Sequence, residues 1–168
     1  RDKAHVSACN PSIQLFNTLS SKVETLAPTP GPAMRIYCCG PTVYDYGHIG
    51  NFRTFLHVDV LRRVILQQGI PVQHVMNVTD VDDPLLERAN ATGEDWVALA
   101  ERETELFRTD MEALRVLPPK AYVGAVEAIP LVVDMIQDLQ KAGAVYDVDG
   151  DLYFSVTADP TFGSVSGW

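Results

Sequence analysis

Cysteine, basic side chains and long apolar runs are all scarce in this 168-residue sequence. The three cysteines, two of them adjacent, are too few for a disulfide framework, so we expect a reducing, cytoplasmic environment. No apolar run approaches the roughly 20 residues that a membrane-spanning helix requires, so we expect no membrane partner. The 13 Lys and Arg against 22 Asp and Glu give a net charge of −9, which argues against strong binding of a nucleic-acid backbone by this chain alone.

The overall composition is that of a globular protein, because 46% of the residues are hydrophobic and the sequence contains no low-complexity tract. We expect one domain over residues 13–168, since this length is enough to enclose a core. Residues 1–12 are polar and unpatterned, and we interpret them as a tail. A short strand is expected at the start of the domain, over residues 13–19.

The chain is organised around a predicted strand, turn and helix. Residues 34–39 are apolar and β-prone, and the Gly-Pro pair that follows them stops a strand. The helix is predicted to open near Gly50 and to end at Gly69, with apolar residues at helical spacing between them. A second strand over residues 72–78 completes a βαβ unit, which indicates a parallel sheet.

Further helices and one hairpin are predicted after this unit. Helices are expected over residues 83–92, 95–115 and 130–143. Asp83 is expected to cap the first of them, and Glu103 is the one polar residue on the apolar face of the second. A β-hairpin is expected over residues 146–156, turning at Asp149-Gly150. The predicted fold class is therefore α/β, a Rossmann-like parallel sheet with flanking helices and a C-terminal hairpin.

The turn between the first predicted strand and helix is the candidate functional site. Backbone N–H groups and the positive end of the helix dipole make a helix start a binding place for phosphate. His48, Gly50 and Asn51 lie at that start, and Cys39 lies at the strand tip facing the same crevice. Because side chains alternate along a strand, Cys38 must point to the opposite face from Cys39. Without further information, the ordinary interpretation is a capped surface loop beside a buried free cysteine.

Three short segments resemble the motifs of one enzyme family. Residues 48–51, His-Ile-Gly-Asn, resemble the HIGH signature of class I aminoacyl-tRNA synthetases, with Asn51 in place of the second histidine. Residues 39–45, Cys-Gly-Pro-Thr-Val-Tyr-Asp, and residues 77–83, Asn-Val-Thr-Asp-Val-Asp-Asp, resemble the corresponding stretches of cysteinyl-tRNA synthetases. The resemblance extends over nearly the whole chain and implies a fold of the HUP type, truncated to the N-terminal part of the catalytic domain.

The resemblance implies roles for individual residues. The residues implied to bind ATP are Gly40, Thr42, His48, Gly50 and Asn51. Of these, His48 and Asn51 are implied to be catalytic as well. The residues implied to contact the substrate cysteine are Cys39, Gly40, Thr42 and Thr79. Cys39 is further implied to be one ligand of a Zn²⁺ ion, which prefers thiolate to hydroxyl and so could distinguish cysteine from serine. The remaining zinc ligands of the family lie outside this chain.

The implied reaction activates cysteine with ATP, used together with Mg²⁺, and transfers the cysteinyl group to tRNA(Cys). Fixed donors at the helix start, such as His48, would stabilise the charge that develops around the α-phosphorus. The acidic residues 80–83 either begin the next helix or place a carboxylate near the ammonium group of the substrate. The family's lysine-rich loop, its other zinc ligands and its tRNA-binding region do not occur in these residues, so we expect the chain to be inactive alone.

Two alternatives remain open. Pro84 and residues 114–129 resemble mycothiol ligase, a relative that passes cysteine from the same adenylate to an amino-sugar inositol. Residues 16–19 and 44–55 resemble the synthetase instead, and the latter, an active-site stretch, carries more weight. The other alternative is a non-catalytic, truncated paralogue that binds a nucleotide. A synthetase fragment predicts an exposed apolar surface at the C-terminal hairpin, where the rest of the enzyme would dock.

Overall fold

The computed structural model describes residues 12–27 and 31–167, which form short strands and four longer helices. The strands are β1 (Gln14–Asn17), β2 (Lys22–Thr25), β3 (Met34–Cys38), β4 (Val72–Val78), β5 (Ala121–Gly124), β6 (Val145–Val148) and β7 (Asp151–Phe154). The helices are α1 (Ile49–Gln67), α2 (Asp83–Thr92), α3 (Trp96–Ala113) and α4 (Ala125–Lys141), followed by a 3-10 turn at Val156–Ala158. All but the last residue of the tail predicted over residues 1–12 lies outside the described residues.

The central sheet is parallel and has the strand order β3-β4-β5. β3 and β4 pair in register from Met34 opposite Val72 to Cys38 opposite Met76, and α1 makes the crossover between them. Two antiparallel hairpins, β1 with β2 and β6 with β7, precede and follow this unit in the chain. The predicted α/β class, with a parallel sheet, flanking helices and a C-terminal hairpin, is confirmed.

The core lies against one face of β4. Met76 and Val78 are two residues apart on that face, and each belongs to a separate buried cluster. Val78 packs with residues of α2 and α3, while Met76 packs with Phe55 of α1 and Phe107 of α3. The rings of Phe55 and Phe107 meet edge to face with their centroids 4.9 Å apart, the arrangement that aromatic quadrupoles favour. α3 therefore contacts both clusters and fixes α1 over the sheet.

The capping residue of α2 and the start of α4 differ from the prediction, whereas the bounds of α2 are as predicted. The cap of α2 is Asp82 rather than Asp83, because Asp82 Oδ1 accepts the Leu85 N–H at 3.0 Å. α4 begins at Ala125, not at Pro130, which lies inside the helix. The Gly124 N–H donates to Glu127 Oε1 at 3.0 Å, six residues before that proline. This bond at the helix start favours the earlier beginning of α4, although proline is usual only in the first turn.

Two short strands were not predicted. β2 pairs with β1 as a hairpin, so residues 13–19 contain only part of a two-stranded sheet. β5 pairs with β4 from Ala121 opposite Val75 to Gly124 opposite Val78. Both strands have four residues, and β2 is exposed along its whole length, so neither carries the apolar alternation that indicates a strand.

The C-terminal part of the chain has an exposed apolar surface. α4 has no buried residue, and Leu131 on it is 72% exposed. Tyr146, Leu152 and Tyr153 of the β6–β7 hairpin are also exposed. Exposed apolar residues that cluster in this way often mark a surface that contacts another part of a protein. Neither α4 nor any other helix within the described ranges is long and apolar enough to cross a membrane.

Candidate functional site

The end of β3 approaches the end of β4 so closely that only glycine fits at residue 40. The Gly40 N–H donates to Asn77 Oδ1 at 2.9 Å, and a Cβ on Gly40 would overlap the Asn77 carbonyl oxygen. Asn77 Oδ1 also accepts the Tyr37 hydroxyl at 3.0 Å. Gly40 therefore has a structural reason to be glycine, independent of the ligand contacts predicted for it.

Thr42 and Thr79 face each other just beyond the paired strands. They form an isolated parallel bridge. The Thr79 N–H donates to the Pro41 carbonyl at 2.9 Å, and the Val43 N–H donates to the Thr79 carbonyl at 3.2 Å. These bonds bring the two threonines predicted to contact the substrate to one point at the carboxyl edge of the sheet, where ligands of open α/β sheets bind.

His48 and Asn51 cap the start of α1. His48 Nδ1 accepts the Gly50 N–H at 3.0 Å, and Asn51 Oδ1 accepts the His48 N–H at 3.1 Å. Because Nδ1 is an acceptor, the proton of a neutral His48 ring is on Nε2. The capping bonds thus leave two donors for a ligand at the helix start, His48 Nε2–H and the Asn51 amide nitrogen.

Gly50 keeps room for the His48 ring. A Cβ on Gly50 would stand 2.8 Å from His48 Cε1 and 3.0 Å from His48 Nδ1, both shorter than ordinary contacts. A side chain there would displace the ring that caps the helix. Gly50 is therefore tied to the orientation of His48, and the close approach of adenine predicted for it stays a prediction.

A cavity of about 390 Å³ opens at the β3 tip and the α1 start. Most of the predicted site residues line it: Cys39, Gly40, Thr42, His48 and Asn51. Gly50 and Thr79 are not in its wall, although each bonds to a residue or segment that is. The cavity falls in the size range of small-molecule sites. The structure thus brings the predicted residues together around one cavity, while their individual roles stay predictions.

The two adjacent cysteines have different surroundings. Cys39 is exposed and lines the cavity. Cys38 is half-buried against the cluster that contains Phe55 and Met76, and its thiol lies 3.4 Å from the Cys39 carbonyl oxygen. Burial raises the pKa of the Cys38 thiol, and the neighbouring Cys39 adds to the rise. Of these two adjacent cysteines, Cys39 is therefore the one available to a ligand in the cavity.

A zinc site is not complete in the described residues. No three His, Cys, Asp or Glu side chains among them come together in a way that could hold a metal ion. Protein zinc sites use three or four such ligands, and Cys39 supplies one. Cys39 as a single zinc ligand therefore stays a prediction, and no step below depends on the metal.

The acidic run after β4 is largely used to cap helices. Asp80 Oδ1 accepts the Val126 N–H at the start of α4 at 3.0 Å, and Asp82 caps α2. Gly124 allows the first contact, because a Cβ there would overlap the Asp80 carboxylate. Asp82 therefore agrees with the expectation that this run begins the next helix, whereas Asp80 caps the start of a later helix, α4.

Two residues of the site were not predicted from the sequence. Asn77 holds the β3 tip through its side-chain oxygen, and Glu103 of α3 lines the cavity. In the sequence, Asn77 was notable only as part of a family motif. Glu103 was notable only as a single carboxylate on an otherwise apolar helix face.

The comparison with known proteins identifies one matching family. Residues 26–168 match the family described as "tRNA synthetases class I (C) catalytic domain". A relative from Catenulispora acidiphila, named "L-cysteine:1D-myo-inositol 2-amino-2-deoxy-alpha-D-glucopyranoside ligase", is 63% identical over 92% of this chain and 36% of its own length. A relative of the same name from Kribbella flavida is 54% identical over 93% of this chain and 38% of its own length. The chain thus spans little more than a third of these relatives.

Solved structures with the same fold include two synthetases. Methionyl-tRNA synthetase of Mycobacterium tuberculosis, bound by methionyl-adenylate, aligns with a TM-score of 0.63 at 17% identity, covering 77% of this chain and 30% of its own. A LeuRS of Agrobacterium radiobacter, in a ternary complex, aligns with a TM-score of 0.62 at 19% identity, covering 70% of this chain and 15% of its own. At such identities the likeness establishes the fold.

Proposed function

The chain belongs to the family of class I (C) tRNA synthetase catalytic domains, and we propose that the protein containing it joins cysteine to an amine through a cysteinyl-adenylate. The proposed acceptor is an amino-sugar inositol. The observation that carries this proposal is the 63% identity over 92% of the chain with a relative whose name states that it ligates cysteine to this amino-sugar inositol. The resemblance of Pro84 and residues 114–129 to mycothiol ligase points the same way.

In the first half-reaction, a carboxylate oxygen of cysteine bonds to the α-phosphorus of ATP and pyrophosphate leaves. We assign the α-phosphate to the start of α1, where the helix dipole and the His48 Nε2–H donor oppose the developing negative charge. The Asn51 amide can add a second donor. Positioning and charge stabilisation, without a covalent enzyme intermediate, then account for this step.

We assign the cysteine to the β3 and β4 ends of the cavity. Thr42 lines the cavity there, and Thr79 pairs with it through the backbone at the same edge of the sheet. Cys39 is at the adjacent wall. In the second half-reaction, the neutral acceptor nitrogen bonds to the cysteinyl carbonyl carbon, and the bond from that carbon to the phosphate oxygen breaks. AMP leaves, and the nitrogen releases one proton to solvent.

A tRNA acceptor is the second candidate. It is favoured by the family match itself and by residues 44–55, which resemble cysteinyl-tRNA synthetases. The net charge of −9 weighs against it, because a phosphate backbone is held by clustered Lys and Arg. With the natural full-length protein, cysteine-dependent exchange of pyrophosphate into ATP tests the first step for both candidates. Exchange with another amino acid but not with cysteine would contradict both.

AMP release separates the two acceptors. The proposal expects the amino-sugar inositol to release AMP in the presence of cysteine and ATP, and tRNA(Cys) to release none. The opposite result would move the assignment to the tRNA ligase. We further propose that the exposed apolar surface of α4 and the β6–β7 hairpin is covered by other parts of the full-length protein, so the 168-residue chain alone should give no exchange.

A further inference from the structure

Glu103 stands out on the buried face of α3. The other residues buried on this helix are apolar: Leu99, Ala100, Phe107 and Met111. Glu103 is only 6% exposed, although carboxylates are rarely buried unless they are paired. Its burial therefore requires an explanation beyond packing.

The carboxylate of Glu103 is only half satisfied by the protein. Oε1 pairs with the Arg102 guanidinium at 3.1 Å, and Arg102 also pairs with Glu94 at 2.8 Å. Oε2 is buried, and no hydrogen-bond donor of the described residues reaches it. An ionised oxygen in such surroundings is unfavourable unless a positive group or a donor comes to it.

Glu103 lies in the wall of the cavity that contains Cys39, Thr42 and His48. No Lys or Arg is among the described residues that line this cavity. The other carboxylate in the wall, Asp45, is largely exposed, accepts the Tyr46 N–H at 2.8 Å and stands 3.9 Å from Arg88. Glu103 is therefore the buried carboxylate in the described wall of the cavity, and its second oxygen lacks the donor that a ligand could bring.

We propose that Glu103 is a substrate-binding residue that pairs with a primary ammonium group inside this cavity. This inference rests on the proposed function, in which the reactants carry two such groups, the α-ammonium of cysteine and the amine of the acceptor. ATP cannot be the partner, because its phosphates would be repelled by the carboxylate. The Glu103 carboxylate thus binds the positive end of a substrate on α3, while the phosphates bind at the start of α1.

The test compares Glu103→Gln with wild type in the natural full-length protein. Glutamine keeps the size and one acceptor but removes the charge, so the Michaelis constant for the ammonium-bearing substrate should rise about 10- to 100-fold. Glu112→Gln is the matched control, because Glu112 is an exposed glutamate on the same helix outside the cavity.

Which Michaelis constant changes shows whether the ammonium group that pairs with Glu103 belongs to cysteine or to the acceptor. A raised constant for cysteine in pyrophosphate exchange assigns Glu103 to the amino acid. In that case the variant should also lose its preference for cysteine over 3-mercaptopropionate, which lacks the ammonium group, as a competitor. Normal exchange with a raised constant for the amino-sugar acceptor in AMP release assigns Glu103 to the acceptor.

A folded Glu103→Gln protein with both constants within about twofold of wild type would overturn the proposal, whatever its stability. If glutamine prevents folding, Glu103→Asp retains the charge, shortens the reach by one methylene and should raise the same constant. Absence of cysteine-dependent exchange in wild type would contradict the proposed function itself. The two failures are therefore distinguishable.

Discussion

Replacing Gly40 with alanine tests whether the close approach of β3 to β4 builds the cavity. The added Cβ would overlap the Asn77 carbonyl oxygen and stand 2.9 Å from both the Asn77 carbonyl carbon and Met76 Cγ. Gly40 is not among the residues with positive φ, so the substitution acts through this collision and not through backbone strain. Because backbone meets backbone, neither side can move away as a flexible side chain would.

The magnitude follows from the hydrogen bonds beside Gly40. Its own N–H bond to Asn77 measures 2.9 Å, and two bonds that join residues 41–43 to Thr79 measure 2.9 and 3.2 Å. At about 1 kcal/mol net for each bond, separating the two segments lowers the free energy of unfolding by about 3 kcal/mol. The same shift moves Cys39 and Thr42, which line the cavity, so cysteine-dependent pyrophosphate exchange should fall by about 100-fold.

The full-length variant is compared with wild type by urea denaturation and by the exchange assay. Gly69→Ala is the control, because Gly69 has a φ of 78° and nothing within 4 Å of an added Cβ. It should lose about 1–2 kcal/mol through backbone strain alone and keep full exchange. A Gly40→Ala protein with wild-type stability and full exchange would refute the reasoning.

Three further predictions address single side chains. His48→Ala should slow cysteine-dependent pyrophosphate exchange by about 100-fold, because the Nε2 donor is lost. His48→Asn should restore the helix cap and the thermal stability that alanine loses, but not the rate of exchange. Asp80→Ala removes the acceptor for the Val126 N–H and should lower the free energy of unfolding, measured by urea denaturation, by about 1 kcal/mol. An unchanged free energy of unfolding would contradict the capping role of Asp80. Burial, together with the nearby Arg62, holds the pKa of His74 below its usual range against the opposing effect of Asp59. The unfolded chain therefore binds a proton that the folded chain does not, so stability should fall as the pH drops below about 6.5, and His74→Leu should flatten that part of the profile.

The elements that could be predicted are those whose pattern is local. β4 was predicted with its observed bounds, because its seven residues are preceded by Gly69 and Pro71 and followed by Thr79 and an acidic run. β5 has four residues, and its pairing with β4 is fixed by tertiary contacts that the sequence does not display. The start of α4 shows the same limit, since Pro130 is a strong local signal but the helix begins earlier, where the Gly124 N–H donates to Glu127.

The candidate site, too, could be predicted only where its residues lie close together in the sequence. The motif residues Cys39, Thr42 and His48 come from segments close in sequence, and the strand-turn-helix unit alone places them around one cavity. Glu103 reaches that cavity from α3, more than 50 residues further along the chain. Its proximity depends on how Phe107 packs against Phe55, so periodicity could mark Glu103 as unusual but could not say what it faces.

The carboxylates near the sheet edge divide into two groups by what already satisfies them. Asp80 and Asp82 accept backbone N–H groups at helix starts, where the helix dipole also favours their charge. A substrate ammonium group that took either carboxylate would have to compete with those bonds and loosen α4 or α2. Glu103 has a buried oxygen without such a bond, so an ammonium group gains more there and breaks nothing. Our proposal for Glu103 therefore places the acid near the substrate ammonium on α3, whereas the sequence led us to expect it within residues 80–83. A substrate complex with the ammonium group on Asp80 or Asp82 would contradict the proposal.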